Sequence, residues 1–310
     1  MSLLSRKRIV LAKIESTYGT DPTPAGANAL VVTNLNFTPQ EADYADRDVV
    51  RPYLGNSESL TAAVRTMIDF EVEIQGSGTA GTAPAYDCLL RSCGFSATTS
   101  AGVSVTYTPE SASLESSTIY FNVDGVLHKM IGCRGTVSLG LTAKQIPRYK
   151  FTFTGLYSAV TDTSAVSPVY SGFKTPLPVT NLNTGALTLH GATPVMSELT
   201  IDLANSIVHR TLVGGSEQVL LTDRKPTGSV TIEAGTVATK DWFTAVKNST
   251  LGGLDITHGT VSGYMVQITA PNVQLTQPTY SDMDGVQMLQ MNMNLIPGSS
   301  GNDELNIIVK

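Results

Sequence analysis

The sequence predicts a mainly β protein: two tandem β-sandwich or barrel domains, each with one short α-helix. Three observations predict it. Apolar and polar residues alternate in segment after segment, the pattern of half-buried strands, because successive Cβ atoms point to opposite faces. The 27 glycines and 15 prolines are dispersed, which suits many strands joined by turns. One strand–loop–helix unit also occurs twice, roughly 160 residues apart, as a tandem duplication would leave it.

The elements follow in order. Residues 1–28 read as an N-terminal arm. Residues 6–15 admit a short strand or a helix, whereas 18–24 admit neither, because Pro22 and Pro24 lock φ and bias their predecessors to extended geometry. Residues 29–37 are a strand candidate. Residues 39–60 read as a long polar loop, and long loops in compact proteins usually make contacts. Ile68, Phe70, Val72 and Ile74 then alternate with Asp69, Glu71, Glu73 and Gln75, a half-buried strand. A small-residue loop over 76–83 leads to Pro84, whose missing N–H suits the start of a helix. Tyr86, Leu89, Leu90 and Cys93 follow at helical spacing, and Gly94 ends the helix. Short strands are expected at 103–107 and 119–123, with Asp124 and Gly125 as a tight hairpin turn. Val137, Leu139 and Leu141, then Tyr149, Phe151 and Phe153, mark two long amphipathic strands. Residues 158–178 lack periodicity and read as a linker, so the first domain is drawn over 1–175 and the second over 176–310.

The second half opens on Leu187 and Leu189, then alternates through Leu199, Ile201 and Leu203. After a turn at Gly214 and Gly215, Val230 and Ile232 alternate with Ser229, Thr231 and Glu233. Asp241, Trp242, Phe243, Ala245 and Val246 form the second short helix, closed near Asn248 and ended by Gly252 and Gly253. Strands follow at 254–257, from Val266 onward, after a turn at Asp284 and Gly285 through 289–295, and at 307–309.

Composition excludes several function classes. A net charge of −6 argues against a protein that grips nucleic acid, which needs cations to neutralise phosphates. Charged residues are only 15%, which fits a surface covered by copies of itself. The odd count of 3 cysteines, with no CxxC pair, argues for a reduced compartment and buried thiols. No run approaches about 18 apolar residues, and the N-terminal apolar run is too short for a signal-peptide core, so a soluble protein made in a cytoplasm is expected. Gly76, Gly78 and Gly81 satisfy GxGxxG between a strand and a helix. A dinucleotide-binding first strand is apolar on both faces, however, and this one carries Asp69, Glu71 and Glu73. His128, His190, His209 and His258 lack zinc-ligand spacing, and there is no nucleophile elbow. No enzyme activity, catalytic residue, metal site or cofactor is therefore assigned. An outer-membrane porin is opposed by the aromatic content of 6%, low for two girdles. A β-sandwich carbohydrate-binding or other binding module has only Trp242 and isolated acids to support it.

The run from Leu11 to Pro24, with Glu15, Tyr18, Gly19, Thr20, Asp21 and Pro22, resembles the opening of tail tube proteins of long-tailed, non-contractile bacteriophages. Arg51-Pro52-Tyr53-Leu54-Gly55, the glycines of 76–81 with Pro84, and Leu89-Leu90-Arg91 are similar to that family too. The resemblance covers the first half best; the second fits by element order. It implies a structural virion protein whose rings stack into the tail tube, inner strands closing a β-barrel on oligomerisation around the path of genome ejection. It implies assembly in the bacterial host cytoplasm and a place in the virion tail, with the tape measure protein in the lumen before ejection and tail terminator and distal tail proteins at the ends. The resemblance allows two fused tube domains or one tube domain followed by a decoration domain. The repeated strand–helix unit favours fusion, which implies a homotrimeric ring of pseudo-sixfold symmetry, with a hexamer as the alternative. Six domains of about four inner strands give a backbone barrel on the order of 50 Å across, roughly 40 Å inside the side chains. On that reading Asp69, Glu71, Glu73 and Glu233 line a lumen along which DNA slides without sequence-specific binding. Arg47, Arg51, Tyr53 and Leu54 are then the candidates for contact between rings.

Overall fold

The structure, a computed structural model, describes residues 2–310. Its first half contains β1 (Arg8–Ile14), β2 (Ala29–Leu30), β3 (Thr33–Asp46) and β4 (Ser59–Glu73). Helix α1 (Asp87–Ser92) follows, then β5 (Phe95–Ser100), β6 (Ser104–Pro109), β7 (Ser117–Val123), β8 (Val126–Thr142), β9 (Arg148–Tyr157) and β10 (Thr161–Asp162). The second half contains β11 (Thr188–Leu189), β12 (Met196–Asp202), β13 (Asn205–Arg210), β14 (Gln218–Arg224) and β15 (Thr227–Glu233). Helix α2 (Trp242–Lys247) precedes β16 (Leu251–His258), β17 (Val266–Met283), β18 (Val286–Leu295) and β19 (Asn306–Val309). The protein is mainly β, as the alternation predicts.

One layer is an antiparallel sheet in the order β3–β4–β9–β8–β12–β15–β18–β17. Number the layer's strands by their order along each half. The first half then reads one, two, four, three (β3, β4, β9, β8), and the second reads one, two, four, three again (β12, β15, β18, β17). The halves meet where β8 pairs with β12, Leu139 opposite Ile201 and Leu141 opposite Leu199. β8 and β17, 17 and 18 residues long, belong to two layers each. The start of β8 pairs with β7, and the start of β17 with β16 and β19. β1 extends the outer layer from β7, and β19 joins β17 to β6 across the halves.

The core lies between these layers. Ile68, Phe70, Val72, Phe151, Phe153, Leu199, Ile201, Val230, Ile232, Met291 and Met293 supply one side of it, all buried. Phe70, Phe151 and Phe153 pack with ring centroids 5.8 to 6.1 Å apart. Helix α1 adds Leu89 and Leu90, and α2 adds Trp242. Burying each such side chain is worth about 1.5–3 kcal/mol before chain entropy is charged against it.

Several sequence expectations are corrected. Residues 8–14 are not an arm: Ile9, Val10, Leu11 and Ala12 are all buried, because β1 sits between β2 and β7. The polar stretch 39–60 is not a loop throughout. β3 and β4 stay paired as far as Asp46 opposite Ser59, so only 47–58 connects them. Both faces of that distal hairpin are largely exposed, which removes the alternation that marks a half-buried strand. Gly252 and Gly253 do not end α2, which closes at Asn248; both lie inside β16. The hairpin β13–β14 was not expected. It forms a separate two-stranded sheet that packs back on the first half, where Asn205 donates to the Cys93 and Gly135 carbonyls at 2.7 and 2.9 Å.

Candidate functional site

The face of the eight-strand layer turned away from the core is polar. One row crosses seven strands: Glu71, Lys150, Ser138, Asp202, Thr227, Asn294 and Gln274 stand opposite one another in register. The next row carries Glu73, Arg148, Gly140, Thr200, Ser229, Asn292 and Thr276. The surface is concave and walls a trough of ≈ 1070 Å³, with Glu71, Ser138, Arg148, Thr200, Asn292 and Asn294 among its lining.

Asp69, Glu71, Glu73 and Glu233 all stand on this face, at the alternate positions of β4 and β15 that the core does not use. Asn36 donates to Asp69 at 3.3 Å and Asn34 to Glu71 at 2.9 Å. Sequence reasoning missed other charges here. Glu198 and Asp202 add carboxylates, while Arg148 and Lys150 oppose them, Arg148 standing 3.3 Å from Glu71. The alternation of Arg148, Lys150 and Thr152 was legible, but only the pairing with β4 shows that they share the acidic face. The balance of the face remains acidic.

Arg47, Arg51, Tyr53 and Leu54 lie in the 47–58 connection at the hairpin tip and are exposed, Leu54 fully so. Arg47 pairs with Glu58 across the turn. Among the described residues, no strand pairs with the outer edge of β3, or with β17 beyond Gln274 on the side away from β18. Apolar side chains stand beside this second gap: Tyr280 is 57% exposed, Phe243 of α2 is 39% exposed, and their rings are 6.0 Å apart. An edge left open in this way is a template for another strand.

The remaining chemistry-bearing residues are accounted for locally. The glycines of 76–81 serve a crossing of two loops: Gly78 N–H donates to the Gly263 carbonyl at 2.8 Å. A Cβ at Gly76 would lie 2.1 Å from that same oxygen. His190 and His258 are buried against the Val273 and Leu177 carbonyls at 2.8 and 3.1 Å, and burial lowers the pKa of both. Burial pushes the Cys88 thiol up to about 12, and those of Cys93 and Cys133 also rise. Thiols held protonated in this way are poor nucleophiles. No cluster of metal-ligating side chains occurs among the described residues.

A family model described as "Phage tail tube protein" matches residues 5–294. The chain belongs to the phage tail tube protein family. No curated protein matches it. In this tail tube protein the residues that carried the resemblance hold the fold together. The buried Glu15 carboxylate accepts from Thr118 Oγ1 and Gly132 N, both at 2.7 Å, from Ser116 Oγ at 2.6 Å and from Gly19 N at 2.8 Å. The Tyr18 ring lies under the Arg134 guanidinium, 4.9 Å from ring centroid to Cζ, and its hydroxyl accepts from Val219 N at 2.5 Å. Gly132, at φ +60, leaves room for that ring. Asp21 accepts from Tyr120 and from Lys129 Nζ. The phrase is thus a knot that pins β1 to β7 and β8 and reaches the second half through Val219.

Proposed function

We propose that this chain is a structural subunit that self-assembles into stacked rings, forming the tail tube through which the phage genome leaves the virion. The observation that carries this reading is the polar, concave layer, in which one strand order occurs twice and both ends stay unpaired. The repeated order supports two fused tube domains, 1–175 and 176–310. Three copies then make a ring of pseudo-sixfold symmetry. About 24 strands, 4.8 Å apart and tilted about 40°, enclose a backbone barrel on the order of 50 Å across, wider than duplex DNA. Six copies would roughly double that width, so the trimer is the better fit.

Asp69, Glu71, Glu73 and Glu233 are proposed to line the channel. A wall with acidic balance repels phosphates and lets DNA pass without reading its sequence. The hairpin tip, with Arg47, Arg51, Tyr53 and Leu54, is proposed to contact the adjacent ring. The tape measure protein fills the channel before ejection, the terminator and distal tail proteins cap the tube, and assembly takes place in the host cytoplasm. The role is structural and needs no catalysis or cofactor. Negative-stain microscopy of the purified chain tests the reading: rings or tubes with a central channel are expected. A monodisperse monomer at high concentration, with the other tail proteins present, overturns it.

A further inference from the structure

We propose that the β8–β12 junction inside the chain is a built-in copy of the joint between chains, and that it fixes that joint residue by residue. The inference rests on the reading of the chain as a self-assembling subunit and adds the identity and register of the contact. Glu73 and Glu233 each end the second strand of their half, opposite Arg148 and Met288. Setting these positions equal makes Ile68 equivalent to Gly228 and Tyr149 to Leu289. Phe37 pairs with Ile68 as Ile201 pairs with Gly228, and Leu139 pairs with Tyr149 as Tyr280 pairs with Leu289. Phe37 therefore corresponds to Ile201, and Tyr280 to Leu139.

Leu139 stands opposite Ile201 within the chain. The same joint between copies places Tyr280 of one copy opposite Phe37 of the next. In the same way, Gly140 opposite Thr200 maps onto Ser281 opposite Asn36, and Ser138 opposite Asp202 onto Thr279 opposite Thr38. Face parity holds throughout. Phe37, Ile201, Leu139 and Tyr280 belong to the core side, where Phe37 packs on Phe121 with ring centroids 4.6 Å apart. Asn36, Thr38, Thr279 and Ser281 belong to the polar face. Burial agrees as well: Leu139 and Ile201 are 4% and 1% exposed, whereas their counterpart Tyr280 stands open at 57% beside Phe243. A second copy's β3 covers that apolar edge and continues the polar face with uncharged side chains. A one-residue slip would turn each apolar side chain to the wrong face. The contact is head-to-tail, so it generates a closed ring or an open helix rather than a two-fold dimer.

Paired cysteines test this, since a disulfide needs Cβ atoms about 3.5–4.5 Å apart. Asn36→Cys with Ser281→Cys places both thiols on the exposed polar face, and Phe37→Cys with Tyr280→Cys places them on the core side. The first pair remains informative if the second disturbs packing around Phe121. Under mild oxidation of the assembled protein, both pairs should give covalent multimers on a non-reducing gel, and Asn36→Cys with Asp282→Cys, on opposite faces, should give none. Rings that form while neither pair links, or an opposite-face pair that links equally, overturn the joint but leave the tube reading intact. A chain that never forms rings overturns the tube reading and the joint together.

Discussion

Glu15 is polar in sequence yet buried in the fold, and its four hydrogen bonds explain why. Two of the donors are backbone N–H groups, of Gly19 and Gly132, with no other partner described. Each buried donor left unmade costs about 1–3 kcal/mol, so Glu15→Ala should destabilise the chain by about 3 kcal/mol, measured by urea denaturation. Arg224 presents the same problem as an ion pair. Its guanidinium lies 2.5 Å from Glu304, with both side chains nearly buried, and donates to the Glu110 carbonyl at 3.0 Å. Arg224→Met leaves Glu304 buried and unpaired, and should cost about 3–5 kcal/mol in the same measurement. The buried histidines set a pH response. Burial depresses the pKa of His190 and His258 below the usual 6.5, despite hydrogen bonds that act the other way. A depressed folded-state pKa gives stability that is present above 6.5 and lost as pH falls through the folded value. Tm should therefore drop between about pH 7 and 5, and His258→Gln, which takes no proton, should flatten that drop. Apart from Gly19, four residues after Glu15, none of these partners was legible in the sequence, because each lies far along the chain from the residue it holds.

At the scale of elements, strands with one buried and one polar face declared themselves. β4 from Thr66 onward, β8 from Gly135 onward, the start of β9, β15 and the end of β18 alternate, because there one face meets the core and the other does not. Strands outside that situation were hidden. β1 is buried on both faces, and the distal β3–β4 hairpin is open on both, so neither has a period of two. The stacking role proposed for the distal hairpin can be tested apart from folding. Asp46 and Ser59 are the last pair before the tip, so an Asn-Gly turn in place of 47–58 closes the ladder without strain. The shortened chain should keep its Tm within a few degrees and still form rings, while microscopy should show that the rings no longer stack into long tubes. Long tubes from the shortened chain would remove Arg47, Arg51, Tyr53 and Leu54 from any contact between rings.

At the scale of the whole molecule, the strand order of the polar layer depends on pairings between distant segments, so the sequence showed the repeat of units but not the shared sheet. That sheet gathers Asp69, Glu71, Glu73, Glu198, Asp202 and Glu233, with Glu41 and Asp43 paired to Arg65 toward the β3 edge, and sets only Arg148 and Lys150 beside them as further cations. The sign of this balance decides what a channel lined by it does to a polyanion, since cations on the wall would exchange with the counterions of DNA and retain it. Glu71 is best left in place, because it holds Arg148 at 3.3 Å. Asp69→Lys, Glu73→Lys and Glu233→Lys together reverse the balance without touching the core face. Tubes of the parent chain should leave short duplex DNA open to nuclease at about 0.15 M salt, whereas tubes of the triple variant should protect it. That protection should fall steeply as salt rises, because each phosphate contact releases a counterion. If the triple variant forms tubes that bind DNA only on their outer surface, where nuclease still reaches it, the acidic face does not line the channel.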